Sequence, residues 1–336
     1  MFPRVVGRGS WARGPGAACV LRLIPRRGLL SRLHSTLPSE PPAPPEVYRK
    51  LTPHEHVLLR PGMYIGSPVV QTQPVWLYDE ASACMVWREV EFNAGLYKIF
   101  DEILVNALDN RQRDPQGTTR IEVEIDEESG RMSVTNNGQG IPVRRHATED
   151  RWVPQLIMGE LYTGSNLDDS TKLTVGGRHG FGAKLTNIFS RSFEVKTADS
   201  AAGLSFVQRW HDNMRRTSEP DVLPLPSDSD GDYTRISFVP DYARFGLDGL
   251  STDMHAVLRR RVLEVAACAA PAQVLLQGEP VGVTSLADLV ALYAAPPPPQ
   301  PPRSAVEGAP QAEAVPHVAV ARLSPQPVGV PAEDQP

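Results

Sequence analysis

Two hydrophobic periods meet between Leu96 and Thr135, and their order limits the folds open to this chain. From Leu96 to Arg113 the apolar residues Leu96, Ile99, Phe100, Ile103, Leu104 and Ala107 recur at three- and four-residue spacing, which predicts a helix buried along one face. Thr119 to Ile125 then alternates strictly, Glu127 to Gly130 reads as a turn, and Arg131 to Thr135 alternates again, so a β-hairpin follows the helix. Further strands are expected at Ser192 to Thr197, Leu204 to Trp210, Tyr233 to Val239 and Gln273 to Leu276, with a second long helix over Thr252 to Ala269. Helices set around hairpins, without repeating βα alternation, predict an α+β fold: a two-layer sandwich on a mixed, mainly antiparallel sheet.

The ends of the chain have another character. Residues 1–39 hold seven arginines, no lysine and no acidic residue, the composition of a mitochondrial or plastid transit peptide. A basic arm for nucleic acid or anionic lipid remains the alternative, and a nuclear address stays open with it. A proline-rich linker closes this segment at about residue 47, and beyond Tyr293 the sequence is rich in proline and alanine to Pro336. Such stretches cannot bury enough apolar surface to order themselves, so both termini are expected to be disordered. One domain, 48–293, remains between a 1–47 presequence and linker and a 294–336 tail.

Charge and cysteine content narrow the function classes. The chain carries a formal charge of −5, and loss of the seven presequence arginines would leave about −12, which is not the electrostatic footprint of a DNA-gripping surface. The three cysteines, Cys19, Cys84 and Cys268, are too scattered for a disulfide framework or a zinc site. No apolar run approaches the ~20 residues that span a bilayer, so no membrane partner is expected. The run Asp228 to Asp232 reads as an acidic turn, because its glycine comes too early for a calcium loop.

Three features carry chemistry. On the 96–113 helix, Glu102, Asn106, Asp109 and Arg113 fall on one stripe opposite the apolar face, either a solvated surface or a carboxylate and an amide placed to hold water and a hydrated magnesium ion. Asn136-Asn137-Gly138-Gln139-Gly140 follows the hairpin, either a plain turn or an amide that reads a purine edge with backbone close by. Gly176-Gly177-Arg178-His179-Gly180-Phe181-Gly182-Ala183-Lys184 ends at a short helix, Ala183 to Phe189. It combines loop amides, a helix N-terminus and a cation, although its spacing matches no general phosphate motif, so alone it reads equally as a phosphate cradle or a mobile corner.

Taken in order, these features resemble the Bergerat ATP-binding fold of the GHKL group. The strings HVLLRPGMYIGS (56–67), GLYKIFDEILVNALDNRQRDP (95–115), LYTGSN (161–166) and GGRHGFGAKLTNIFS (176–190) are more particular, and resemble the N-terminal ATPase domain of eukaryotic-type DNA topoisomerase II over about Tyr48 to Tyr293. The bacterial gyrase B proteins, the MutL proteins and the large heat-shock chaperones share the Glu/Asn and glycine features, but not YKIFDEILVNALDN so closely.

The resemblance implies ATP and Mg²⁺ as cofactors and assigns roles. Glu102 would be the general base, and Asn106 would join the magnesium shell. Asn136 would read the adenine amino group. Asn110, Ser165 and Asn166 would contact ribose or phosphates. The lid residues Gly177, Arg178, His179, Gly180, Phe181, Gly182 and Ala183 would wrap the triphosphate, with Lys184 offsetting its charge. His56 to Ser67 would be a strap that crosses to a second copy when ATP binds, with Tyr64 the residue to test, giving an ATP-driven homodimer. DNA would be the substrate of the full-length enzyme in strand passage. The regions that cleave DNA are not in this chain, so an ATP-dependent dimerisation module without productive hydrolysis is the alternative, with a gyrase-B-like ATPase beside it. Two positions depart from the family pattern: His179 stands where asparagine is usual, and Gly164 where serine is usual.

Overall fold

A computed structural model describes residues 48–161, 163, 180–226, 229 and 231–294. The presequence, the proline-rich tail, Asp228 and Asp230 of the acidic turn, and Gly164, Ser165, Asn166, Gly177, Arg178 and His179 lie outside the described residues.

Helix α1 (Pro53–Leu59) starts at a capping box in which Thr52 and Glu55 satisfy each other's backbone amides. Strands β1 (Gln71–Asp79) and β2 (Cys84–Phe92) form a separate antiparallel hairpin. Helix α2 (Ala94–Arg113) begins at Asn93, whose side-chain oxygen accepts from the Leu96 amide at 3.0 Å. The Asn93 amide donates to the carbonyls of Pro68 and Phe245, so one buried side chain caps the helix and ties two loops to it. The expected hairpin is β3 (Arg120–Ile125) and β4 (Met132–Asn137). After α3 (Val153–Gly159) and α4 (Gly182–Ile188) come β5 (Ser190–Asp199), β6 (Leu204–His211), β7 (Arg216–Thr217), β8 (Asp221–Pro224) and β9 (Tyr233–Pro240). Helix α5 (Thr252–Ala269), capped by Ser251, leads to β10 (Gln273–Leu276), β11 (Glu279–Pro280) and α6 (Leu286–Ala294).

The large sheet has the order β11-β10-β3-β4-β9-β5-β6-β7, with β8 also on β6. Only β10 and β3 run parallel; the other pairs are antiparallel, so the mixed, mainly antiparallel two-layer fold expected above is the one formed. One face is apolar, with Ile121, Val123, Met132, Phe193, Val195 and Phe238 buried. Against it packs the α2 face made by Leu96, Ile99, Phe100, Ile103 and Leu104, with α4 and α5 beside α2. The other face carries charge, including an Arg235–Glu124 pair at 2.6 Å and a Lys196–Glu194 pair at 3.2 Å. A sheet covered on one side and wet on the other explains the strict alternation of β3.

The β1–β2 hairpin was not expected from sequence. It packs on α5 through a small cluster of Leu77, Val90 and Val257, and Trp76 stacks against Trp87 and Tyr293, each at 5.4 Å.

Candidate active site

The candidate site opens where the apolar face of the sheet turns polar. On β4 the residues Met132, Val134 and Asn136 share one phase, and on β9 Phe238, Ile236 and Thr234 do the same, with Asn136 opposite Thr234 in the register. The core therefore ends in an amide and a hydroxyl. Beyond them lies a cavity of about 340 Å³, within the range of small-molecule sites. Its apolar wall includes Ile103, Ala107, Ile141, Ile157 and Met158.

Helix α2 supplies one polar wall. Asn106, Asp109, Asn110 and Arg113 line the cavity, so the stripe that reads as a possible solvated surface faces a cleft, with Asp109 and Asn110 buried. The Asn110 amide donates to Thr118 Oγ1 at 3.1 Å, and its oxygen accepts from Arg113 at 3.3 Å. Glu102, one turn before Asn106, lies just outside the cavity lining, with Oε1 2.5 Å from Lys98 Nζ.

The loop after β4 forms the adjoining wall. Asn136 is buried and its amide donates to its neighbour's carbonyl at 3.1 Å. Asn137 accepts from the Thr119 and Arg120 amides, which fixes the start of β3. The glycines that follow answer to the protein itself. Gly138 has φ +85°, and a Cβ there would fall 2.3 Å from Thr118 Oγ1; one on Gly140 would fall 2.2 Å from the Ala198 carbonyl. Close approach to Thr118 and Ala198 thus requires these glycines whichever of the two sequence readings holds. Asp114 accepts from the Gln139 and Gly117 amides, and these bonds, Gln139's foremost, hold its carboxyl below its usual range.

The third wall is the start of α4. Gly180, Gly182, Ala183 and Lys184 line the cavity together with Thr163, while Phe181 lies beside it. Lys184 is buried and donates to the carbonyls of Gly180, at 2.6 Å, and Thr163. Burial pushes its pKa down to about 8, since a charged ammonium loses its water there. A Cβ on Gly182 would fall 2.1 Å from Glu102 Oε2, so a larger residue there would have to turn that carboxylate or shift the start of α4.

Sequence reasoning missed Thr163, Gln139 and Thr234 as lining residues. Thr234 could have been found, since it is the polar member of the inward phase shared with Ile236 and Phe238. Tyr64 lies away from the cavity: its hydroxyl is 2.9 Å from His56 Nδ1 and its ring 6.1 Å from that of Phe181.

The donor set suits a hydrated magnesium ion and not a caged metal. Among the described residues no cluster of three His, Cys, Asp or Glu side chains could hold a metal. The Asn106 side chain faces the cavity without a partner among them, and magnesium keeps most of its shell as water and phosphate oxygen.

Comparison with known proteins agrees with this geometry. Residues 93–243 match the family profile of histidine kinase-, DNA gyrase B- and HSP90-like ATPases. A Caenorhabditis elegans protein named as a mitochondrial DNA topoisomerase 2 is 47% identical over 248 residues, which is 73% of this chain and 21% of the relative. The chain therefore spans about a fifth of that relative's length. The ATPase region of Saccharomyces cerevisiae topoisomerase II superposes with a TM-score of 0.72 at 42% identity, covering 74% of this chain and 65% of that one. The ATPase and transducer domains of DNA topoisomerase II from Balamuthia mandrillaris give 0.72 at 48% identity, covering 74% and 64%.

Proposed function

We infer that this chain, which belongs to the GHKL ATPases and contains the ATPase domain of a eukaryotic-type DNA topoisomerase II, hydrolyses ATP in the cavity between α2, β4 and α4. The observation that carries the reading is the convergence of Asn106, Asn110, Asn136 and Lys184 on one cavity, with Glu102 at its edge under Gly182.

Each wall then has a task. Asn136 and Thr234, at the end of the packed core, receive the adenine edge, where Ile103, Ile141 and Met158 exclude water from the base. Asn110 lies between base and phosphates and contacts ribose or phosphate. Lys184 exchanges its two carbonyl partners for phosphate oxygens, a stronger charge-assisted bond. Gly180 to Ala183 supply backbone amides for the same oxygens, and the family resemblance assigns Gly177, Arg178, His179, Ser165 and Asn166 to the same nucleotide. Bound magnesium, held by Asn106 with phosphates and water, would neutralise charge that develops on the transferred group. Glu102 orients a water toward the γ-phosphate and accepts its proton, so its placement matters more than its basicity.

In the longer assembly ATP binding closes a homodimer through the strap around Tyr64, and the cycle of binding and hydrolysis serves DNA strand passage. The arginine-rich residues 1–36 and the name of the Caenorhabditis elegans relative support a mitochondrial location. The test is Glu102→Ala: Mg²⁺-dependent ATP turnover is expected to vanish while a non-hydrolysable analogue still binds. Unchanged turnover in that variant would refute the reading.

A further inference from the structure

Lys98 sits on the helix in a place where helix stability alone would not put it. It is the fifth residue of α2, near the positive end of the helix dipole, where a cation is unfavourable. Its partner Glu102 lies four residues toward the C-terminus, the weaker of the two orders for a helical ion pair. The first turn of α2 holds no acidic residue to compensate. Yet the pair is close, 2.5 Å, and unequal in exposure, with 43% of the Lys98 side chain in solvent against 17% for Glu102.

The two carboxylate oxygens of Glu102 thereby meet different elements. Oε1 accepts from Lys98 on its own helix, and Oε2 lies against the Cα of Gly182, where a Cβ would come within 2.1 Å. A glutamate with three rotatable bonds would otherwise sample several orientations, and the geometry of a proton acceptor tolerates little of that. We propose that Lys98 is a positioning residue for Glu102: its ammonium fixes the carboxylate rotamer at the edge of the cavity and leaves nucleotide binding to other side chains. Lys98 does not line the cavity, which separates it from Lys184. This inference rests on the reading of Glu102 as the base.

The experiment compares steady-state Mg²⁺-ATP turnover and analogue affinity of the whole chain with its Lys98→Met, Lys98→Arg and Glu102→Gln variants. Lys98→Met is expected to lower kcat about 10- to 100-fold, the cost of a misplaced reacting group, with KM and analogue affinity within about twofold of the parent. Lys98→Arg keeps the charge on a similar stem and is expected to recover most of the turnover. Normal kcat in Lys98→Met beside a dead Glu102→Gln overturns the positioning role alone. A drop in analogue affinity that matches the drop in turnover also overturns it, because Lys98 would then be a nucleotide contact. Normal turnover in Glu102→Gln, or none in the parent chain, overturns the catalytic reading on which the inference rests. A fall in turnover with Lys98→Arg as poor as Lys98→Met assigns the loss to packing and overturns the proposal.

Discussion

On the sheet side of the cavity Asn136 and Thr234 face each other across β4 and β9 with the packed core directly behind them, whereas on the α4 side Lys184 is tied to two backbone carbonyls. The first wall is set by cross-strand register and the burial of large side chains, so a ligand finds few bonds there to rearrange. The second is made of bonds that a polyphosphate can replace one for one. The difference teaches how one cavity can recognise a base by shape and grip phosphates by exchange.

The comparison breaks most completely when the fixed wall loses its backing. Phe100 on α2 is fully buried in the main cluster, and Phe100→Ala is expected to cost about 3–5 kcal/mol of stability, read as a lowered denaturation midpoint. A loss under about 1 kcal/mol would mean that α2 is not held by this core. Next comes the contact between the walls. Gly182→Ala must push α4 away from Glu102 or turn the carboxylate, so turnover is expected to fall about 100-fold. Analogue binding should fall far less, and wild-type turnover would show that the two groups need not touch.

A pH titration sharpens the comparison without a mutation. Lys184 in the free chain titrates near 8, and phosphate contact raises that value, so ATP affinity is expected to be full below about pH 8. Above it, affinity should fall by up to about tenfold per unit, while adenosine affinity stays level. The stability of the free chain has the opposite sign. The folded state binds fewer protons than the unfolded one between about 8 and 10.5, so the contribution of Lys184 to stability rises with pH across that window. The smallest effect is expected far from both walls. Trp87→Ala, in the half-exposed stack of the β1–β2 hairpin, should leave ATP affinity within about twofold, because that hairpin packs on α5 and α6.

Much of this was legible in the sequence wherever a single period governs a segment. The 96–113 helix, the 119–135 hairpin and the 252–269 helix appear where expected, because each buries one continuous face. The β1–β2 hairpin was hidden by Pro74 within a strand and by a burial pattern that follows no simple alternation, since it packs on helices through a small contact. Helices α1 and α3 were not expected; each is seven residues long, as α4 is, but neither follows a glycine-rich run that marks its start. In the site, Asn106 was legible as a mid-helix amide, Asn136 as an amide ahead of two glycines and Lys184 as the cation ending a glycine-rich run, and all three line the cavity. Thr163 and Gln139 were not, because they reach the cavity through loop positions that only the tertiary fold brings together.

The division between the two walls is tested most directly by calorimetric affinities of ATP and adenosine for the wild-type chain and for Lys184→Met. The account predicts that the substitution brings ATP affinity down by about 2–4 kcal/mol, toward that of adenosine, and leaves adenosine unchanged. Equal losses for both ligands, or no loss for ATP, would contradict it.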